Sequence, residues 1–364
     1  MLSVPRPFTL LLSILTCLTA FSVTASEYEL TLRALYTVPP TQWPASETAD
    51  HRQVRELAPL TLLGEMPADN AVTLGAQLFN DPILSRDKTV SCGTCHEARL
   101  QFTDGRRFAI GIDAQVGRRN TPAIFGIDHW QSFFWDGRAK TAEQQALMPI
   151  QDPKEMDMDL AEAIERLNAH PGYPEQFKAV FDDNIVTADM LAAALVAFER
   201  TLSPPESVFG HFIRAAYKDP ITAVGMLNDA QLRGLHLFRT KAKCMTCHNG
   251  PLLSDNQFHV TGFHYYQRKF HDVGRYEVTQ NPADSGAFRT PSLLGVNKTA
   301  PWLHNGLLKD MMGVVQQYNA GGARPKPRGE QVNDPLFPKT TALLLKLGLT
   351  KQEREDLVAF LETL

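Results

Sequence analysis

Two five-residue stretches hold the most specific chemistry in this chain. Cys92-Gly93-Thr94-Cys95-His96 and Cys244-Met245-Thr246-Cys247-His248 each place two thiols with two residues between them and an imidazole directly behind the second. Of the 5 cysteines, Cys17 lies in an N-terminal apolar run and the other four all belong to these stretches. A disulfide between C-x-x-C neighbours closes almost no loop, so it stabilises little. A redox-active C-x-x-C opens a helix in a thioredoxin-like βαβ pattern, which the sequence does not show. Zinc needs a further Cys/His pair nearby, and neither stretch has one at the usual spacing. Covalent haem uses every residue: two thioethers to the porphyrin vinyls and the histidine turned onto the iron. The chain therefore reads as a carrier of two c-type haems, with His96 and His248 as ligands to iron.

The elements that position these motifs are themselves repeated. Gly75-x-x-Leu78-Phe79 precedes the first motif and Gly234-x-x-Leu237-Phe238 the second. Downstream, "NTPAIFG" (120–126) answers "RTPSLLG" (289–295), and Pro122 to Gly137 spans the same interval as Pro291 to Gly306. The pattern predicts two copies of one haem-binding unit joined near "SPPES" (203–207). Residues 26–205 form an N-terminal cytochrome c-like domain with the peroxide-reactive haem. Residues 206–364 form a C-terminal cytochrome c-like domain with the electron-transfer haem. The fold class is mainly α with little β-sheet. "ADMLAAALVAFERTL" (188–202) has apolar residues at helical spacing. "LTKQEREDLVAFLETL" (349–364) opens with Thr350 and Glu353, a capping box, ahead of an apolar face of Leu357, Phe360, Leu361 and Leu364.

Composition sets the outer bounds. Hydrophobic content of 43% and charged content of 21% are those of a globular protein, and a net charge of −4 gives no reason to expect nucleic-acid binding. Residues 1–25 read as a signal peptide: Arg6, an apolar run from Phe8 to about Phe21, then Val23-Thr24-Ala25 as the small residues before cleavage. No later stretch is apolar enough to span a bilayer. The mature protein is expected in the periplasm without membrane insertion.

The two copies differ where function should lie. An electron-transfer haem wants both axial positions filled, whereas a catalytic haem keeps one face open for peroxide. The same interval beyond Gly306 and Gly137 leads to Tyr318 in the second copy and Pro149 in the first. Proline offers iron nothing; tyrosinate is a hard anionic donor. The register predicts His248 and Tyr318 on the second iron and an open face opposite His96. A buried phenol bonded to a neighbour is the ordinary alternative for Tyr318, and Met311 and Met312 are rival ligands out of register. An open haem also needs a group to move a proton between the peroxide oxygens. After "FFWDGRAK" the first copy supplies Gln144, Gln145, Asp152, Glu155, Asp157 and Asp159, among which spacing does not choose.

Taken together, "CGTCH", "FFWDGRAKTAEQQALMPIQDPKEM", "CMTCHNGP", "RTPSLLGVNKTAPWLHNG" and "YNAGG" resemble the bacterial di-haem cytochrome c peroxidase and MauG family from about residue 70 onward. The resemblance implies that Glu155 is the distal catalytic glutamate, Gln145 the glutamine beside it and Trp135 the tryptophan between the haems. It implies a calcium ion held by Asn120 and the backbone carbonyls of Thr299 and Pro301, hard oxygen donors that suit this cation. Two departures point to the MauG branch. Ile112 stands where typical peroxidases keep a histidine that caps the resting haem, the nearest downstream histidine being His129, and Tyr318 stands where they have methionine. Ala242 departs from MauG itself, which carries tryptophan there. The expected function is therefore a MauG-type enzyme that uses hydrogen peroxide to oxidise a periplasmic protein partner at long range, such as a quinoprotein precursor. In MauG that is the maturation of a tryptophan-derived quinone in methylamine dehydrogenase. Two rivals stand beside it: a peroxidase fed by a small redox protein (cytochrome c or cupredoxin), and a pure electron carrier.

Overall fold

Helices begin where the sequence supplies a capping side chain. Thr187, Ser207, Asn228, Asp310 and Thr350 each accept a hydrogen bond from a first-turn backbone N–H, filling one of the donors a helix end leaves unpaired. The computed structural model describes residues 25–364; the signal peptide expected over 1–25 lies, apart from Ala25, outside the described residues. The first seven α-helices are α1 (Ala25–Leu35), α2 (Asp69–Asn80), α3 (Cys92–Cys95), α4 (Ala142–Gln151), α5 (Leu160–Asn168), α6 (Tyr173–Phe181) and α7 (Ala188–Thr201). There follow α8 (Val208–Ala216), α9 (Pro220–Val224), α10 (Asp229–Arg239), α11 (Tyr276–Thr279), α12 (Met311–Asn319) and α13 (Lys351–Leu361). The expected helices at 188–202 and 349–364 are α7 and α13, and the Thr350–Glu353 capping box is formed. β-structure is confined to two short antiparallel strands, β1 (Phe258–His259) and β2 (Phe288–Arg289), with Phe258 opposite Arg289. Among the described residues no helix is long and apolar enough to cross a membrane.

The apolar stripes sort into two cores. One gathers Leu74, Leu78 and Phe79 of α2 with Leu191 and Leu195 of α7. The other gathers Leu232, Leu235 and Phe238 of α10 with Leu357, Phe360 and Leu361 of α13. Leu32, Tyr36, Trp43 and Leu57, all early in the chain, pack into the second core. The segment that carries them runs along the second haem motif. Glu47 N–H donates to the Arg239 carbonyl at 2.7 Å, Ala49 N–H to Thr246 Oγ1 at 2.9 Å and Gly250 N–H to the Arg55 carbonyl at 3.2 Å.

Each core has one crossing that only glycine permits. A Cβ on Gly75 of α2 would sit 1.9 Å from the Ala194 carbonyl oxygen of α7, and one on Gly234 of α10 would sit 2.0 Å from the Asp356 oxygen of α13. Backbone meets backbone at both crossings, which sets how near the following CxxCH motif lies to the partner helix. Downstream of the motifs the turns match in detail. Gly126 (φ 60) and Gly295 (φ 70) each precede a single 3-10 turn, and Phe133 N–H→Ala139 O (2.9 Å) has its counterpart in Trp302 N–H→Leu308 O (2.8 Å).

Gly75→Ala and Gly234→Ala should each destabilise the protein by about 2 kcal/mol, although alanine is the better helix former. Urea unfolding of the haem-loaded protein reads this directly; unchanged midpoints would mean that the helices do not touch as described.

Candidate functional site

The first motif is a single helical turn. In α3, Ser91 and Thr94 form a capping box, and α2 lies close enough that a Cβ on Gly93 would meet Asn80 Oδ1 at 2.6 Å. His96 ends the turn and its Nδ1 is 2.9 Å from the Phe102 carbonyl oxygen. Only an N–H can satisfy a carbonyl, so the proton is on Nδ1 and the Nε2 lone pair is left for a metal. Burial lowers the imidazole pKa, against the opposing pull of that hydrogen bond, and keeps the ring neutral.

The second motif repeats the arrangement on a 3-10 turn, Cys244–Thr246. His248 Nδ1 is 2.9 Å from the Leu253 carbonyl oxygen, and burial again lowers its pKa. None of the four motif cysteines is in a disulfide. Burial pushes Cys92, Cys244 and Cys247 up to about 12 and Cys95 to about 11, the opposite of a nucleophilic or zinc-binding thiolate.

Around each motif the sequence-derived candidates fall into place unevenly. Tyr318, on α12, lines one cavity with Cys244, Cys247, His248 and Trp135. Its hydroxyl has no hydrogen-bond partner among the described residues, and burial, with smaller effects from Cys247 and Cys244, raises its pKa. Met311 lines the same cavity and Met312 does not. Glu155 lies within electrostatic reach of Cys92 and Cys95. Burial pushes its carboxyl up to about 7, with Asp152 adding to the shift and Arg138 opposing it. Ile112 is fully buried in the first core, and its N–H donates to the Glu155 carbonyl at 2.9 Å. A Cβ on Gly111 would lie 2.7 Å from Glu155 Cα, so the 111–112 backbone is the wall behind that glutamate. His129 is tied to the Thr61 carbonyl oxygen at 2.7 Å. Gln145 is half-buried on α4, and no hydrogen bond joins its side chain to Glu155.

Trp135 lies between the segments that follow the first and the second motif. It is 9% exposed, its Nε1–H donates to the Asn120 carbonyl at 2.8 Å, and its ring meets His304 edge-on at 6.3 Å. Asn120 spends its Nδ2 on the Arg106 carbonyl at 2.8 Å and leaves Oδ1 unused; with Thr299 it lines the Tyr318 cavity, while Pro301 is buried just beyond. Arg119 ties the same two segments together. It forks onto both oxygens of Asp272 at 2.8 Å and reaches Asp136 at 2.5 Å. Burial alone would raise Asp272, but Arg119 outweighs it and holds the carboxyl at about 2.

Comparison with known proteins agrees with this geometry. A family model described as di-haem cytochrome c peroxidase matches residues 69–218. The methylamine utilization protein MauG of Methylorubrum extorquens is 34% identical over 355 residues, 97% of this chain and 90% of that protein. The chain belongs to the di-haem cytochrome c peroxidase family. A cytochrome c551 peroxidase of Nitrosomonas europaea is 36% identical over 234 residues, 64% of this chain and 68% of that protein. A MauG-like protein associated with microbial copper homeostasis has a crystal structure that matches with a TM-score of 0.70 at 29% identity, over 86% of this chain and 94% of that one. The chain is thus a haem-dependent oxidoreductase of a di-haem family.

The residues fit that cofactor, and some of those that fit were not singled out by sequence. Arg289 is 8% exposed, has no carboxylate partner and lines the Tyr318 cavity, with its guanidinium 3.7 Å from the Trp130 ring centre. Burial lowers it to about 9, still cationic at neutral pH, so it suits an anionic haem propionate. His304 stacks on Phe288 at 3.5 Å and leaves a buried Nε2 unbonded. Glu199 on α7 is 6% exposed beside Cys92, and burial raises it to about 8. Its signal was present in the sequence, since an acid in helical register with Ala192 and Leu195 sits on the apolar stripe.

Because Asp272 is held below its ordinary 3.8, its contribution is complete above about pH 4 and lost as pH falls through about 2. Asp272→Asn should cost about 3 kcal/mol at neutral pH. It should also flatten the acid limb of a melting-temperature profile; an unchanged limb would remove the pair from the interface.

Proposed function

We propose that the chain is an exported, periplasmic enzyme of MauG type that uses hydrogen peroxide to oxidise a protein partner. Two copies of one unit, meeting near 203–207, each attach a haem through thioethers: Cys92 and Cys95 in the first, Cys244 and Cys247 in the second. The matched glycines, turns and backbone bonds after each motif support the duplication. His96 and His248 would hold the irons through Nε2, and bound haem would supply redox-active iron that can react with peroxide.

The observation that carries the reading is the asymmetry between the halves. Tyr318 places an unpartnered phenol in the cavity of the second motif, beside Cys244 and Cys247. Tyr318 would serve as a ligand there, since a bound ferric iron would supply the Lewis acidity that offsets the phenol's raised pKa. The register-equivalent Pro149 has no donor, and the side chain of Ile112 lies in the apolar core. The first site is therefore open in the resting state, and the diferric protein reacts with peroxide without prior reduction.

At that site Glu155 would take the proton from one peroxide oxygen and return it to the other, which leaves as water with the electron pair of the broken O–O bond; the two oxidising equivalents stay with the haem-loaded protein. A Glu155 pKa near 7 suits a group that must both accept and give the proton. Gln145 orients the bound peroxide. Trp135, buried between the halves with its N–H fixed on Asn120, carries electrons from one half to the other. Asn120 Oδ1 and the carbonyls of Thr299 and Pro301 hold calcium beside it. The partner is a quinoprotein precursor or a small redox protein. The match to a cytochrome c551 peroxidase favours a second reading, peroxide reduction with electrons from a small cytochrome or cupredoxin.

The resting protein should give one high-spin and one low-spin ferric signal in electron paramagnetic resonance. Two low-spin signals would indicate a carrier with both irons saturated. Tyr318→Phe should open the second site and turn its signal high-spin; an unchanged spectrum removes Tyr318 from the iron.

The peroxide step should quicken as pH rises through about 7, where Glu155 ionises. Glu155→Gln should keep both haems, slow that step by about 10²-fold or more and abolish the inflection. Stopped-flow spectra at several pH values decide it, and wild-type rates in the variant sink the role.

A further inference from the structure

The segment wrapped on the second core carries a tyrosine in an unusual setting. Tyr36 is completely buried. Its hydroxyl lies 3.0 Å from His236 Nδ1 and accepts from Arg239 Nη1 at 3.4 Å. Arginine can only donate, so the phenol's own O–H points at His236, whose proton therefore resides on Nε2. Burial raises the Tyr36 pKa, against Arg239, and lowers that of His236, with Arg239 adding to the shift. The pair rests as neutral phenol and neutral imidazole. His236 is half-buried and its Nε2 bonds no protein atom among the described residues, so a proton delivered to it has a way to water. Glu56, ion-paired with Arg239, offsets the nearby positive charge.

Both residues sit beside the second haem motif. His236 and Arg239 belong to α10, which leads into Cys244, and Phe238 of the same helix lines the Tyr318 cavity. Tyr36 belongs to the same core as Phe238, Ala242 and Met245, and Phe238 and Ala242 also line that cavity.

A one-electron oxidation of tyrosine is facile only if the phenolic proton leaves with the electron, because the protonated radical is a strong acid. Tyr36 has the acceptor in place. Trp43, edge-on to Tyr36 at 5.1 Å, is the worse donor: its Nε1–H is tied to the Val38 carbonyl at 2.9 Å, which is no base for the proton that must leave with the electron.

We propose that Tyr36 is a redox-active residue of the second half. Oxidised by one of the two equivalents that hydrogen peroxide leaves in the protein, it gives up one electron while its phenolic proton moves to His236 Nδ1. A neutral tyrosyl radical remains, and an electron from the protein partner refills it as the proton returns. The proposal rests on the peroxide reading above and adds a route to it.

The test is electron paramagnetic resonance on diferric holoprotein mixed with stoichiometric hydrogen peroxide and freeze-quenched, with haem absorption followed in parallel. The expected result is a tyrosyl signal in the wild type that is lost in Tyr36→Phe and diminished in His236→Leu, both with unaltered resting haem spectra. An equal signal in Tyr36→Phe, or none in the wild type while the haem bands change, overturns the proposal and leaves the peroxide reading standing. Haem bands that do not respond to peroxide overturn both.

Discussion

A neutral imidazole with its Nδ1–H spent on a carbonyl has one lone pair left to give, and His96 and His248 are both locked in that state. The carbonyls come from Phe102 and Leu253, a few residues beyond each histidine, so the loop that follows the motif fixes the tautomer and the ring direction. A single turn, Cys92–Cys95 in the first motif and Cys244–Thr246 in the second, leads into each histidine. The rest of the fold serves that orientation. Gly75 and Gly234 bring one helix against another without a side chain between them, and the CxxCH turn follows each crossing at a set distance.

Two such units are useful together only if they are held rigidly, and charge does much of that work. Arg119 and its carboxylates Asp136 and Asp272 lie almost out of water. A buried guanidinium without its partners would be costly, so this junction is formed whole or not at all. Arg275 adds hydrogen bonds to the Asp136 and Gly137 carbonyls, and Arg289 N–H donates to the Trp135 carbonyl. Trp135 is thereby fixed from both sides, by its own N–H on the Asn120 carbonyl and by the Arg289 N–H on its carbonyl.

Similar frames carry dissimilar groups. Around the first motif stand two acids, Glu155 and Glu199, whose pKa values loss of water lifts to about 7 and about 8. Around the second they are Tyr318, Arg289 and His304, a phenol, a cation and a neutral imidazole. One environment suits moving protons; the other suits holding a charged prosthetic group and stabilising it when oxidised.

Covalent spacing and local periodicity were legible without a structure. The two CxxCH motifs, the Thr350–Glu353 cap, the amphipathic α7 and the repeated glycines are written in neighbouring residues, and neighbouring residues form them. Glu155 was one of several acids until resemblance chose it, because nothing local distinguishes a carboxyl facing a cavity from one facing water. The structure supplies that distinction as burial. Arg289 passed unremarked for the same reason, whereas Glu199 was marked by its place on the apolar stripe of α7. The packing of residues 32–57 on the second core, and with it the meeting of Tyr36 and His236, joins positions about 200 apart in the chain. The sequence determined which groups the protein owns and the turns that present them. Only tertiary packing decided which of those groups lose their water, and the loss of water is what shifts their protons and lets one residue act on another.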